Sequence, residues 1–118
     1  MQPIKKPTLE FLSDLKKNNN REWFERNKDR YRSAHENMIG FMDGLIAEMK
    51  KVDNIETISG KKSLFRIYRD VRFAKDKSPY KSFFGARMSR ATKWLRGGHY
   101  IHIEPGNCFI AGGFFSPN

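Results

Sequence analysis

The hydrophobic period of this chain changes once, between Asp53 and Lys62, and that change fixes its class. Before it, apolar residues recur every three, four or seven positions, the spacing that gathers them on one face of a helix. After it, β-branched and aromatic residues alternate with polar ones, which is the spacing of a half-buried strand. Helices first and strands second is the ordering of an α+β domain.

The helical half divides at an asparagine tract. Pro7-Thr8 supplies a stop and an N-cap for a short first helix in which Leu9, Phe11, Leu12 and Leu15 make the apolar face. Asn18-Asn19-Asn20 ends it, because asparagine hydrogen-bonds locally and tolerates left-handed conformations, and Asn20 then caps the next helix. The spacing predicts that this second helix is long, from Arg21 to Val52, with Phe24, Tyr31, Met38 and Leu45 seven residues apart and Ala34, Phe41, Met42 and Ile46 widening the stripe. Trp23 and Phe24 are placed to staple the two helices, and His35 falls on the exposed side. Gly40 and Gly44 each cost such a helix about 1 kcal/mol relative to alanine, so a kink or a close contact is expected there. The stripe is wider than a two-stranded coiled coil requires and reads as a helix laid on a sheet.

In the second half, Leu64 to Phe73 reads as a first strand, with Phe65, Ile67, Val71 and Phe73 on one face and Arg66, Tyr68, Asp70 and Arg72 on the other. Arg69 falls on the apolar side, so a bulge or an early end is expected near it. Lys75 to Lys81 is a turn or loop, since Pro79 cannot donate to a ladder and Asp76 and Ser78 favour turns. Further strands are expected over Ser82 to Ser89, His99 to Glu104 and Cys108 to Gly113, separated by a basic loop, Arg90 to Gly98, and by the Pro105-Gly106-Asn107 turn. The fold expected is therefore two N-terminal helices, one long, packed on an antiparallel β-meander.

At 118 residues the chain fits a single domain with a core of its own. Its one cysteine, Cys108, leaves no disulfide framework and no multi-cysteine metal site, and in an apolar strand it is expected to be a buried, inert thiol. No apolar run approaches the roughly 20 residues that span a bilayer. Nor do the opening residues carry a signal-peptide core, so cytoplasm is the expected compartment. The charge is unevenly spread: residues 1–60 hold 11 Lys/Arg against 10 Asp/Glu, and residues 61–118 hold 12 against 3. Such a field concentrates anions near the second half without choosing among them.

The stretch Arg66 to Lys81 is where polar chemistry is densest. Arg66, Arg69 and Arg72 offer guanidinium forks that grip phosphate or carboxylate bidentately, and Lys77, Lys81 and Tyr80 add charge and a hydroxyl. Asp70 and Asp76 are the candidates for orienting those arginines or for acid–base work. The competing reading is a solvated face laced by surface ion pairs worth about 0–1 kcal/mol each. The start of the long helix, Asn20 to Phe24, presents amide donors that could join the same site, although capping and stapling alone explain those residues. Tyr100, His102 and Glu104 should share a face, but two candidate ligands, His102 and Glu104, fall short of a metal site, and no metal is expected. Gly97-Gly98 and Gly112-Gly113 do not form a nucleotide-binding loop, and the residues leave any cofactor unknown.

Several of these segments together resemble a known family. They are Asn19 to Phe24, Asn27-Lys28 with Tyr31, Phe65 to Phe73, Asp76-Lys77, Pro79 to Lys81 and His102 to Gly106. They occur in the order found in the uncharacterised bacterial family filed as domain of unknown function 2461. The resemblance implies no reaction. It does imply that the Asn-Arg-Glu-Trp-Phe and Arg-Asp-x-Arg-Phe segments are family hallmarks, which favours a functional reading of the arginine stretch over a solvated ion-paired face, and that these 118 residues are the N-terminal part of a longer family domain. Phe114-Phe115, at the end of an apolar strand, suits that expectation, since a bare aromatic pair calls for cover.

Three functions are consistent with this reading: binding of, or catalysis on, a phosphate-bearing or otherwise anionic small ligand; binding of nucleic acid, with Tyr68, Phe73, Tyr80, Phe83, Phe84 and Trp94 interleaved among the cations; or a protein-interaction module that meets an acidic surface.

Overall fold

A computed structural model of the chain describes residues 2–52, 55–57, 59–89 and 98–113. The first helix, α1, spans Lys6–Lys17 and buries Phe11, Leu12 and Leu15 as its spacing requires. Thr8 does not cap it. Lys5 holds the cap position with no side-chain bond, and Thr8 lies within the first turn. The helix start is secured from outside: the buried Asn37 carboxamide accepts from Thr8 Oγ1 at 2.7 Å and from the Lys5 N–H at 2.8 Å, and its Nδ2 donates to the Pro3 carbonyl.

The long helix expected from Arg21 to Val52 is two helices, α2 at Arg21–Arg26 and α3 at Lys28–Met49. Asn20 caps α2 as expected, accepting from the Trp23 N–H at 2.8 Å. The break falls at Asn27, whose φ of −114° and ψ of 20° leave the helical region. Its side chain donates to the Trp23 carbonyl, and its own N–H donates to the Trp23 and Phe24 carbonyls, closing α2. Asparagine offers the backbone such local alternatives to a helix, which the seven-residue apolar spacing does not register. Trp23 and Phe24 do staple the helices, with ring centroids 5.9 and 6.3 Å from that of Phe11. His35 is half-buried rather than exposed, stacked on Tyr31. The close contact expected at Gly40 is present, with the Gln2 side chain filling the space a Cβ would take.

A short helix, α4 at Gly60–Ser63, begins within the Asp53–Lys62 stretch where the hydrophobic period changes. Ser59 caps it, and the Gly60 N–H donates to Asp43 Oδ1 of α3 at 2.6 Å. A Cβ on Gly60 would collide with the Ile39 carbonyl, so only glycine lets α4 approach α3 this closely.

The sheet has three antiparallel strands in the order β1-β2-β3, with β1 at Phe84–Ser89, β2 at Gly98–Ile103 and β3 at Phe109–Gly113. They match the last three expected strands to within a residue or two. The expected first strand, Leu64 to Phe73, does not form. Its residues make single bridges to different partners, Leu64 to Ala86 and Tyr68 to Tyr80. Phe65 and Phe73 are exposed, and only Ile67 of that supposed apolar face is buried. Local hydrogen bonds by Asp70 and Asp76 compete with a ladder here and curl the chain. Cys108 also departs from expectation: it precedes β3, is exposed, and its thiol donates to the Glu104 carbonyl.

The result is an α+β fold in two layers. Ala34, Met38, Met42 and Ile46 of α3 are buried with Phe84, Ala86 and Met88 of β1 and Ile101 and Ile103 of β2. Fully burying a side chain such as Leu, Met or Phe stabilises by about 1.5–3 kcal/mol, so this apolar seam holds the layers together. No helix among the described residues is long and apolar enough to cross a membrane. The basic loop 90–97 with Trp94, and Phe114 to Asn118, lie outside the described residues.

Candidate functional site

The arginine segment is a long loop whose two arms pair and whose tip is closed by side chains. In the arms, the Arg69 N–H donates to the Pro79 carbonyl at 2.9 Å and the Lys81 N–H to the Ile67 carbonyl at 2.7 Å. One end joins the sheet through the Phe65 N–H and the Gly85 carbonyl. The other is clamped to the turn after α1. Asn19 donates to the Tyr80 carbonyl at 2.8 Å and accepts from the Tyr80 N–H at 3.0 Å, while the buried Tyr80 ring stacks on Phe24 at 4.1 Å.

At the tip, Asp70 accepts from the Arg72 backbone N–H and from its guanidinium at 3.0 and 2.9 Å. Lys77 Nζ donates to the Val71 carbonyl at 2.6 Å, and Asp76 accepts from the N–H and hydroxyl of Ser78. These bonds hold both carboxyls below their usual range, Asp70 chiefly through the Arg72 side chain and Asp76 chiefly through the Ser78 hydroxyl. Both are ionised at neutral pH and suited to accepting hydrogen bonds.

Two open grooves flank the arms. One, of about 710 Å³, is lined by Leu64, Phe65, Arg66, Tyr68, Arg69, Asp70 and Lys81. The second, of about 360 Å³, is lined by Arg21, Glu25, Tyr68, Arg69, Val71, Pro79 and Tyr80. Tyr68 and Arg69 belong to both. Of the residues named from sequence, Arg66, Arg69, Asp70 and Lys81 thus meet at one groove and Tyr80 lines its neighbour. Arg72, Lys77 and Asp76 line neither groove. Arg21 joins the arginine segment through the start of α2, an association the asparagine cap hinted at. Asn19 and Phe65 stand in the sequence as ends of family-like segments, not as candidate site residues; the role of Asn19 rests on a partner 61 residues away, which nothing local marks.

The electrostatics differ between grooves. A further groove, about 840 Å³ between α1 and α3, contains Arg30 and Arg32, each already paired, with Asp14 and Asp29. Lys81 is in the opposite situation: burial first, and then the neighbouring Arg66 charge, push its ammonium below the usual lysine value. Its Nζ donates to the Arg66 carbonyl at 2.7 Å, and neither cation forms a salt bridge with a described residue. Arg69 is held by Nη1, which donates to the Ser78 carbonyl at 3.0 Å and lies 3.4 Å from Asp76.

The family model described as Conserved hypothetical protein (DUF2461) matches residues 7–118. The chain belongs to this family. The match covers both helical and strand halves of the DUF2461 chain, including the whole arginine loop and its Asn19 clamp. No curated protein and no solved structure matches it. Among the described residues no group of three or more His, Cys, Asp or Glu is placed to hold a metal ion.

Proposed function

We propose that the groove walled by Arg66, Arg69 and Lys81 binds a small anionic ligand bearing a phosphate group. The observation that carries this reading is the placing of Arg66 beside a partly desolvated Lys81: burial first and then the Arg66 charge push the Lys81 ammonium below its usual value, which a bound anion would relieve. Arg66 supplies a fork for two phosphate oxygens, Lys81 a point charge, and Arg69, fixed through Nη1, a third contact. Tyr68 and Phe65 offer ring faces for the rest of the ligand. In this reading Asp70, Arg72, Asp76 and Lys77 act by holding the loop tip, and Asp70 and Asp76 orient cations rather than transfer protons. Arg21 extends the site into the second groove.

A second reading has a specific observation behind it. Phe65 and Tyr68, 43% and 56% exposed, line the groove of these cations, and Phe73, 94% exposed, lies under the Arg72 guanidinium at the loop tip, which is the composition of a stacking platform for single-stranded nucleic acid.

Thermal shift in pyrophosphate, nucleoside triphosphates and short oligonucleotides, at low and moderate salt, separates the two. A small-ligand site predicts stabilisation by pyrophosphate that Arg66→Ala and Lys81→Ala remove and Arg72→Ala retains. Nucleic-acid binding predicts an oligonucleotide response that falls log-linearly with salt and weakens with Tyr68→Ala and Phe73→Ala. Failure of every anion to stabilise the protein, or a response indifferent to Arg66→Ala, overturns the assignment.

A further inference from the structure

Away from the arginine loop, β2 carries Tyr100 and His102 on the sheet face opposite the buried Ile101 and Ile103, and Glu104 continues the same register. Tyr100 Oη lies 2.8 Å from His102 Nδ1, and His102 Nε2 lies 3.0 Å from Glu104 Oε1. The hydrogen bond from His102 is the main cause holding the Glu104 carboxyl below its usual range, so the carboxylate accepts and Nε2 carries the ring proton. With Nε2 donating to the carboxylate, Nδ1 is the ring nitrogen placed to accept from the phenol. The ring is held in place: it stacks on Phe83 at 4.4 Å and on Phe109 at 4.8 Å, and its side chain is 12% exposed.

The local sequence makes room for this chain of groups. Gly85 sits directly opposite His102, and a Cβ there would come within 3.2 Å of Tyr100 Oη and 3.1 Å of Phe65 Cδ2. Arg87 sits directly opposite Tyr100, and the two share with Phe65 the wall of a groove of about 430 Å³. A hydroxyl, a base within hydrogen-bond reach and a third group orienting the base is the constellation of a nucleophile with its general base; burial and the Glu104 charge push the Tyr100 phenol above its usual value, so its proton must pass to His102 as the new bond forms. Arg87, opposite Tyr100 in the register and on the wall of the same groove, brings a planar cation that can grip a phosphoryl group entering that groove.

We propose that Tyr100, His102 and Glu104 form a nucleophilic site for phosphodiesters, with Tyr100 Oη as nucleophile, His102 as its base, Arg87 as the phosphoryl clamp and Glu104 as a positioning residue. In the step, the phenolic oxygen forms a new O–P bond while its proton passes to His102 Nδ1. The P–O bond to the leaving alcohol or phenol breaks, and the leaving oxygen either takes that proton from the imidazolium or departs as the anion while the imidazolium releases the proton to solvent, so that His102 is a base again. Water then attacks phosphorus, giving its proton to His102, and Tyr100 leaves the phosphorus and is reprotonated. An anionic diester rather than a neutral ester is favoured by Arg87 and by the net charge of +10. Neither Arg66 nor Lys81 takes part, so this site stands or falls separately from the anion groove.

The test is incubation of the chain with bis(4-nitrophenyl) phosphate, monitoring 4-nitrophenolate release and mapping the aryl phosphate adduct by peptide mass. The expected result is a burst with the adduct on Tyr100, absent in Tyr100→Phe and slowed on the order of 100-fold in His102→Gln. The exposed Tyr68, outside the relay, is the internal control. In Glu104→Gln the ¹⁵N shifts of the His102 ring should lose their Nε2–H preference, which a role in folding alone would not produce. No release above buffer, labelling of Tyr68 as fast as Tyr100, or an unchanged rate in Tyr100→Phe overturns the proposal. Should a variant fail to fold, adduct mapping in the unaltered chain still decides.

Discussion

Replacing Asn19 with alanine removes the clamp that joins the arginine loop to the helices, and its cost can be worked from two hydrogen bonds. The carboxamide meets both backbone groups of Tyr80, at 2.8 and 3.0 Å, in a half-buried setting above a side chain that is itself 3% exposed. Each bond is worth about 0.5–1.5 kcal/mol net, and a backbone group left unmet and shielded from water costs at the upper end of that range. Asn19→Ala should therefore destabilise by about 2 kcal/mol. For a domain of this size that is a fall of roughly 6–12 °C in Tm. Asn19→Asp is the sharper variant: it keeps an acceptor for the Tyr80 N–H but turns a carboxylate oxygen towards the Tyr80 carbonyl, so it should recover less than half of the loss. Urea unfolding supplies the assay, with Cm displaced and m unchanged. A loss below about 0.5 kcal/mol in Asn19→Ala, within the range of an inconsequential surface change, would refute the claim that this contact positions the loop.

Phe24→Ala should cost about 3–5 kcal/mol, because the ring is 1% exposed and packs on Phe11, Tyr31 and Tyr80; urea unfolding reads it, and a loss under 1 kcal/mol would contradict the packing. Gly85→Ala places a methyl against Tyr100 Oη and Phe65 and should destabilise by about 1–3 kcal/mol while displacing the phenol, seen as a changed His102 ring signal in NMR. The Glu104 carboxyl is held below its ordinary 4.5 in the folded chain, so its contribution is complete above that value and is lost as pH falls through the lower folded value. Melting temperatures between pH 7 and pH 3 should accordingly fall less steeply in Glu104→Gln, and identical profiles would show that the His102 contact adds nothing.

The fold was legible where one physical rule acted alone. The apolar face of α1, the capping of α2 by Asn20, and strands β1 to β3 come from spacing and turn residues, and burial agrees with them. It was illegible where side chains compete with the backbone or reach far along the chain. Asn27 ends a helix inside an unbroken apolar stripe because its carboxamide bonds the preceding turn. Thr8 has the chemistry of a cap but is engaged instead by Asn37 from another helix. Asp70 and Asp76 turn an alternating segment into a loop by bonding Arg72 and Ser78. The candidate site shows the same division. The cluster was visible as composition, but which cations face a groove depends on those turns: Arg66, Arg69 and Lys81 do, whereas Arg72 and Lys77 hold the tip. The relay on β2 was half visible, since two-residue spacing predicts the shared face, while the room above Gly85 needs the register.

Amide ¹H–¹⁵N shift mapping during titration with inorganic pyrophosphate addresses the anion groove most directly, because it reports position as well as binding. The account predicts saturable shifts confined to Leu64 through Asp70, Tyr80, Lys81 and Arg21, and their loss in Arg66→Ala. Shifts centred instead on Lys5 and Arg30 to Asn37, or none at millimolar pyrophosphate, would contradict it.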